Sequence, residues 1–180
     1  MPKHHPMKTI LAAASLALLP LLSTPVQAAG AAPVPIAKPK DAAAFAEFKK
    51  AIRAQYDVKE KAWAAGDVKG LVTGFYAPTA FTAGEGEPNH FPVGTAQFLE
   101  LYKTYLADTT KVRIESVHSY VNGNMGWDWT NFYADVKPEK VKDYPPSPVR
   151  ILFLWEKIDG KWMCTGDVIL LGKFDTKPAK

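Results

Sequence analysis

The chain has 180 residues, 22 basic and 18 acidic side chains, a net charge of +4 at pH 7 and 47% apolar residues. So small an excess of positive charge argues against a nucleic-acid-binding protein, while the apolar content is enough for the core of one domain. The single cysteine, Cys164, excludes an internal disulfide. Because no basic or histidine neighbour in the sequence would activate this thiol, we expect Cys164 to be buried and inert.

The N-terminal segment has the three parts of a secretory signal peptide. Lys3 and Lys8 precede an apolar run over residues 10–22, and residues 26–28 (VQA) fit the small-x-small pattern of a cleavage site. The run contains a proline and is shorter than the roughly 20 apolar residues of a membrane span. We therefore expect residues 1–28 to be removed, leaving an exported, soluble protein in the periplasm or outside the cell, without a membrane anchor.

A linker and a long helix follow the predicted cleavage site. Residues 29–40 are rich in alanine and proline and lack periodicity, which is typical of an extended tether. Asp41 is a helix-capping residue and opens the predicted domain, residues 41–175. One stripe of large apolar side chains follows the helical period and is expected to face the core. It consists of Phe45, Phe48, Ile52, Tyr56 and Trp63.

Two shorter helices and a brief strand come next. Gly66 ends the first helix and Asp67 caps a second one, predicted over residues 68–75. A proline then stops helical geometry, and residues 79–83 have the character of a short strand. A third helix is predicted to begin at Gly94.

The second half of the chain has a period of two residues. The dipeptides Asn122-Gly123 and Asp159-Gly160 are typical of type I′ hairpin turns. They separate four predicted strands: residues 111–121, 125–136, 150–158 and 161–171. Three helices followed by two hairpins predict an α+β fold with a curved antiparallel sheet packed on the helices.

Four segments of the chain carry a family resemblance. They are residues 64–80 (AAGDVKGLVTGFYAPTA), 93–95, 122–123 and 155–162 (WEKIDGKW). Their order and spacing resemble the nuclear transport factor 2-like superfamily, and within it the SnoaL-like branch. The resemblance implies a cystatin-like, cone-shaped fold in which one long and two short helices close over a bent sheet. It also implies an apolar pocket, chemistry without a cofactor, and a homodimer formed sheet to sheet.

The chain departs from the catalytic signatures of that superfamily. In the ketosteroid-isomerase-like branch, an acidic base aligns with Gly84, a helix tyrosine with the region of Lys59, and a buried aspartate with the region of Ile151. Two of these three roles are vacant here. In the SnoaL-like branch, two histidines align with Gly166 and Val168, which argues against histidine-based catalysis.

Two aspartates in apolar strands are the candidate catalytic groups. Asp128 lies in mid-strand between two tryptophans, where a carboxylate needs a partner or acquires a raised pKa. We expect Arg150 as its partner, either in a structural ion pair or with Asp128 as general base and Arg150 orienting an anion. Asp167 is the second candidate. Tyr56 on the first helix is the predicted hydroxyl donor, with core packing as the alternative.

The strands also predict a pocket wall and an aromatic face. We expect Trp63, Arg150, Leu152 and Leu154 to contact a ligand. A turn at Asn122-Gly123 would pair Val117 with Asp128 on one face of the sheet. The other face then collects His118, Tyr120, Trp127, Trp129 and Tyr133. Packing in the core or in a dimer interface is favoured over a ligand cage for this face.

Three functions remain open at this point. The first is an exported domain that holds a small apolar or aromatic molecule without converting it. The second is a cofactor-free isomerase, dehydratase or cyclase. The third is a partner-binding module that uses the aromatic face. Since no histidine, aspartate or glutamate residues have zinc or calcium spacing, no metal site is predicted.

Overall fold

The computed structural model describes residues 41–86 and 90–176. The predicted signal peptide, residues 1–28, and the linker, residues 29–40, lie outside this part of the chain. Among the described helices, none has the length and apolar character needed to cross a membrane.

The long helix forms as predicted. Helix α1 spans Ala42–Ala64, and the Asp41 carboxylate accepts hydrogen bonds from two amides of the first turn at 2.9 and 3.0 Å. These bonds satisfy donors that a helix N-terminus otherwise leaves unpaired. Most of the predicted stripe is buried to 5% exposure or less: Phe48, Ile52, Tyr56 and Trp63. Helix α1 is therefore anchored to the core along one face.

The remaining elements follow in the predicted order. They are α2 (Val68–Phe75), β1 (Tyr76–Gly84), α3 (Gly94–Asp108), β2 (Thr109–Asn122), β3 (Met125–Val136), a 3-10 helix (Pro138–Asp143), β4 (Val149–Ile158) and β5 (Lys161–Leu170). The strands form one sheet in the order β1-β5-β4-β3-β2. Strand β1 is parallel to β5, and the other neighbouring pairs are antiparallel. This architecture confirms the predicted fold class, a curved sheet packed on one long and two short helices.

Strand β1 begins three residues earlier than predicted. Tyr76 already pairs with Cys164 of β5, and the side chains of Tyr76 and Ala77 are buried. Pro78 prevents the helix from continuing, but it is compatible with extended backbone, so α2 passes directly into the strand.

The first hairpin is shifted from the predicted register. Its turn begins one residue later than expected, at Gly123, whose φ of 59° suits glycine. Val117 falls in an irregularity of the β2–β3 ladder, and Ser119 lies opposite Asp128 instead. The predicted pairing of Val117 with Asp128 is therefore wrong.

Strand β4 shows which face of the sheet meets the helices. Its buried residues alternate along the strand and point toward the helices: Val149, Ile151, Phe153 and Trp155. Arg150, Leu152 and Leu154 alternate with them and are only partly buried, on the opposite, outer face. The prediction grouped these three correctly but put them on the wrong face for a pocket beneath the helices.

The outer face carries the predicted aromatic side chains, partly covered by the C-terminal segment. Tyr120 stacks on Trp127 with ring centroids 5.8 Å apart. The ring of Phe174 packs edge-on against Trp129 at 5.7 Å. The backbone of Phe174 exchanges two hydrogen bonds with the amide of Asn131, which explains the full burial of that polar side chain.

Candidate functional site

A cavity of about 470 Å³ lies under the inner face of the sheet and is lined also by α1 and α3. Its walls are mainly aromatic and aliphatic: Trp63, Tyr102, Tyr105, Phe132, Ile151 and Ile169. The Trp63 indole N–H donates to the Thr109 hydroxyl at 2.7 Å, so this ring offers an apolar surface to the cavity. The space is large enough for a small organic molecule.

The structure divides the predicted site residues into three groups. Trp63 and Asp167 line the cavity. Asp128 and Tyr56 are buried in the core and bonded to each other. The other three lie on the outer face of the sheet: Arg150, Leu152 and Leu154.

The most buried polar group in the cavity wall is Lys59, which is 1% exposed. Position 59 belongs to the buried face of α1, between Tyr56 and Trp63, so the helix directs the lysine into the core. Its Nζ donates to the hydroxyl of Tyr76 at 2.5 Å and to that of Tyr102 at 2.8 Å. These bonds use two of the three donors of the ammonium group.

Asp167 lies beside this group on β5 and is 3% exposed. Its Oδ2 accepts a hydrogen bond from the Tyr76 hydroxyl at 2.6 Å. Its Oδ1 is buried and has no hydrogen-bond partner in the described part of the chain. Tyr76 thus bridges a lysine and an aspartate, both of which line the cavity, and one oxygen of the carboxylate keeps no partner in the described residues.

Burial controls the protonation of these groups. Desolvation lowers the pKa of Lys59 to about 8, although the negative charge of Asp167 acts in the opposite direction. Desolvation, followed by the charge of Asp167, raises the pKa of the Tyr76 and Tyr102 phenols well above the usual value. The two phenols therefore stay protonated at neutral pH, while the pKa of Lys59 lies closer to neutral than the usual value of a lysine.

The cavity lining also includes polar side chains from α3 and from the segment before β4. Asp108 at the end of α3 accepts a hydrogen bond from the Tyr144 hydroxyl at 3.0 Å. Lys140, in the 3-10 helix, lies 3.5 Å from the same carboxylate. These contacts connect α3 to the segment before β4, and Asp108 and Tyr144 also line the cavity.

Asp128 has a complete set of partners. Its Oδ2 accepts from Tyr56 at 2.7 Å, and its Oδ1 accepts from Ser116 at 2.7 Å and from Ser119 at 2.6 Å. Desolvation raises the pKa of Asp128, and these three hydrogen bonds oppose the rise. Since Asp128 is fully buried and does not line the cavity, its geometry is that of a structural carboxylate.

The predicted pairing of Asp128 with Arg150 is wrong. Asp128 faces Phe153 across the β3–β4 ladder, while Arg150 faces Asn131 on the other side of the sheet. The guanidinium of Arg150 donates to the Leu171 carbonyl at 3.0 Å instead. The physical reason is that successive residues of a strand point to opposite faces of the sheet. Arg150 is three residues from Phe153, the residue that pairs with Asp128, so its side chain lies on the other face.

Three residues in the hydrogen-bonded group around Asp167 were not predicted as site residues: Lys59, Tyr76 and Tyr102. A signal for Lys59 was present, because it falls on the apolar stripe of α1 where a charged residue is unexpected. Tyr76 and Tyr102 carry no comparable signal, since aromatic residues next to a strand start and on a helix face are ordinary core residues.

Two further expectations concern metals and the thiol. In the described ranges, no group of three or more histidine, cysteine, aspartate or glutamate side chains could hold a metal ion. Cys164 is buried, as predicted, and burial raises the pKa of its thiol, which keeps it protonated.

The fold is similar to that of several solved structures. A nuclear transport factor 2-like protein of unknown function from Shewanella oneidensis MR-1 matches 67% of this chain and 97% of its own, with a TM-score of 0.56 and 17% identity. A ketosteroid isomerase-like protein from Erwinia carotovora atroseptica SCRI1043 matches 67% and 92%, with a TM-score of 0.55 and 16% identity. A domain of unknown function with a cystatin-like fold from Nostoc punctiforme PCC 73102 matches 68% and 75%, with a TM-score of 0.53 and 17% identity.

No protein-family model and no curated protein matches the sequence. At these identities the structural likeness establishes the fold alone, and the activity must be inferred from the residues of the cavity.

Proposed function

We propose that this chain, which has the nuclear transport factor 2-like fold, binds a small, largely apolar molecule that carries one hydrogen-bond-donating group. The observation that supports this most is the buried Oδ1 of Asp167, which has no partner in the described residues and belongs to a cavity-lining side chain. A ligand hydroxyl would supply the missing donor.

The cavity walls indicate the character of the ligand. Rings and aliphatic side chains such as Trp63, Phe132 and Ile169 make up most of the lining. Pockets of roughly 300–1,000 Å³ with mostly apolar walls and a few convergent polar groups are typical of small-molecule sites. A flat or elongated molecule with an aromatic or aliphatic body would therefore fit.

The polar end of the cavity indicates where the ligand would be held. Lys59 and Asp167 carry opposite charges and are linked through the Tyr76 hydroxyl, so the group as a whole is close to neutral. A buried acceptor without a partner costs about 1–3 kcal/mol, and a ligand donor would remove that cost. A neutral molecule with one hydroxyl suits this arrangement better than an ion.

A pair of probes that differ by one group tests the proposal. 2-Naphthalenemethanol has the hydroxyl and 2-methylnaphthalene lacks it. We expect the alcohol to bind more tightly to the purified chain, and Asp167→Asn to remove roughly tenfold of that preference, because an amide presents a donor where the ligand needs an acceptor. Titration by ligand fluorescence measures both affinities.

The matched control is Asp128→Asn, which changes a buried aspartate that does not line the cavity. This variant should leave the ratio of the two affinities unchanged. If the ratio of the two affinities is the same for the wild type and for Asp167→Asn, the role given to Oδ1 is contradicted. Absence of binding of either probe would contradict the proposed cavity.

A second function is favoured by the same carboxylate. An aspartate with a free oxygen beside the protonated phenols of Tyr76 and Tyr102 has the parts of a cofactor-free acid–base catalyst, such as an isomerase or dehydratase. An enolisable ketone incubated in deuterium oxide would exchange its α-protons faster with the wild type than with Asp167→Asn. Equal exchange rates would leave binding as the function.

A further inference from the structure

We propose that Lys59 captures aldehydes and ketones that enter the cavity by forming a reversible imine with them. This inference rests on the proposed function, because the carbonyl compound must first occupy the cavity. It adds a covalent step and names the ligand class, a small apolar carbonyl compound.

The first support is the surroundings of the amine. Lys59 lines the cavity and is 1% exposed. Its Nζ lies 4.5 to 5.2 Å from the centres of four aromatic rings: Phe75, Tyr76, Tyr102 and Phe153. The ring faces attract the ammonium form, but burial removes water from the amine and on balance favours the neutral form, which is the nucleophile.

The second support is the amount of neutral amine. With its pKa lowered to about 8, Lys59 holds on the order of a hundredfold more neutral amine at neutral pH than a surface lysine of ordinary pKa. An aldehyde at the cavity wall therefore meets an amine with a larger neutral fraction than a lysine of ordinary pKa has.

The third support is the arrangement of proton carriers. Lys59 and Asp167 make no direct ion pair within 4.0 Å in the described structure, because the Tyr76 hydroxyl stands between them. A lysine that served only to neutralise Asp167 would be expected to contact it. Instead, a chain of hydrogen bonds runs from the amine through Tyr76 to the carboxylate, and the Tyr102 hydroxyl joins it at 2.5 Å.

The reaction needs no external oxidant or reductant. The lone pair of Nζ forms a bond to the carbonyl carbon while the carbonyl π pair moves to oxygen. One proton leaves nitrogen and one arrives at oxygen, and the phenol–carboxylate chain can relay both. The resulting hydroxyl can donate to Oδ1 of Asp167. It then leaves with a proton as water, nitrogen loses its remaining proton, and the C=N bond of the imine forms.

Reductive trapping tests this step. The purified chain is incubated with 2-naphthaldehyde and sodium cyanoborohydride at neutral pH, and peptides are mapped by mass spectrometry. The reagent delivers hydride to the imine carbon and fixes the naphthylmethyl group on nitrogen. We expect the peptide containing Lys59 to be labelled first, with an initial rate at least tenfold above that of any other lysine peptide.

Two variants sharpen the result. Lys59→Met should abolish the fast labelling, and Lys61→Met, which removes an exposed lysine of the same helix, should not. Asp167→Asn should keep Lys59 as the labelled residue but slow the reaction, because the proton relay ends at an amide. If Lys59→Met does not fold, the map of the wild type decides by itself.

The outcomes separate this inference from the proposed function. Binding of 2-naphthalenemethanol without preferential labelling of Lys59 would overturn the imine and leave the binding site standing. Labelling spread evenly over the exposed lysines would overturn it as well. If neither the alcohol nor the aldehyde occupies the cavity, both proposals fail.

Discussion

Asp128 and Asp167 lie in one row across the inner face of the sheet, with Phe153 between them on the middle strand. Each accepts a hydrogen bond from a tyrosine through Oδ2, Tyr56 in one case and Tyr76 in the other. They differ at Oδ1, which has two serine donors in Asp128 and none in Asp167 within the described structure. The comparison shows that two buried carboxylates of one row can differ in how completely their oxygens are paired, and that the unpaired Oδ1 belongs to the side chain that lines the cavity.

The space around the two carboxylates also differs: it is packed with side chains near Asp128 and borders a cavity near Asp167. We call the region of Asp128, with Phe48 and Gly126, the filled side, because side chains occupy the space under the sheet there. We call the region of Asp167, with Lys59 and Trp63, the hollow side, because it borders the cavity. A substitution on the filled side should affect mainly stability, and one on the hollow side mainly ligand binding.

The largest effect on stability is expected from Asp128→Ala. It leaves the buried hydroxyl of Tyr56 without an acceptor and opens space in the core, so the free energy of unfolding should fall by about 3 kcal/mol. Urea denaturation measures the change. Affinity for 2-naphthalenemethanol should stay within about twofold, since the cavity is untouched. Asp57→Ala, an exposed aspartate of α1, is the control and should cost less than about 0.5 kcal/mol. A similar loss in both variants would remove the distinction.

A methyl group added on the filled side should lower stability, whereas one added on the hollow side should leave it unchanged. A Cβ at Gly126 would lie 2.8 Å from the Tyr120 carbonyl oxygen and from the ring of Phe48, so Gly126→Ala should lower stability by about 2 kcal/mol. At Gly84, which lines the cavity, a Cβ meets no atom within 4 Å. Gly84→Ala should therefore be neutral within about 0.5 kcal/mol. Comparable losses in thermal unfolding would show that the hollow side is packed as tightly as the filled side.

The pH dependence of stability tests the buried lysine. The pKa of Lys59 is about 8 in the folded protein, below its ordinary value of 10.5, so the unfolded chain binds more protons between these values. The contribution of Lys59 to stability therefore rises with pH there, by up to roughly 1 kcal/mol per pH unit. Lys59→Met should lack this rise.

This test requires the difference between the pH profiles of the wild type and Lys59→Met. The wild-type profile alone is not sufficient, because other groups titrate in the same range. Burial raises the pKa of the Cys164 thiol and of the core tyrosines, and those groups make stability fall above about pH 9 in both proteins. Denaturant titrations at pH 7, 8 and 9 isolate the difference. Parallel profiles would show that Lys59 keeps an ordinary pKa.

The smallest effect on the stability of the fold is expected from a substitution on the outer face of the sheet, away from the filled and the hollow side. We propose that Trp127 and its neighbours form the contact of a homodimer, as the family resemblance implies. Trp127→Glu should convert the dimer to a monomer in light scattering, while unfolding of the monomer changes by less than about 1 kcal/mol, because Trp127 is only half-buried. A wild type that is already monomeric at all concentrations would contradict the proposal.

Local structure followed from local sequence. The Asp41 cap, the apolar stripe of α1 and the Asp159-Gly160 turn were all predicted, and the structure has them. Each of these features depends on residues that are close to one another in the sequence, so the local sequence is enough to predict it. The α+β class, with a curved sheet on three helices, could be predicted for the same reason, as an ordered series of such elements, whereas the nuclear transport factor 2-like fold was predicted from the resemblance of four segments to that superfamily.

The site depended on contacts between distant segments. Asp128 and Asp167 are both single carboxylates in apolar strands, and the sequence does not distinguish them. Tertiary structure decided that the β2–β3 register brings two serines to Asp128, and that Tyr76 and Lys59 meet at Asp167.

By itself, the sequence determined the helices, the strands and which residues of β4 share a face. Only the tertiary structure decided which face meets the helices, which carboxylate keeps a free oxygen, and that a lysine of α1 lines the cavity. The physical reason is that periodicity specifies the direction of side chains relative to their own backbone, whereas a partner from another segment depends on ladder register and packing.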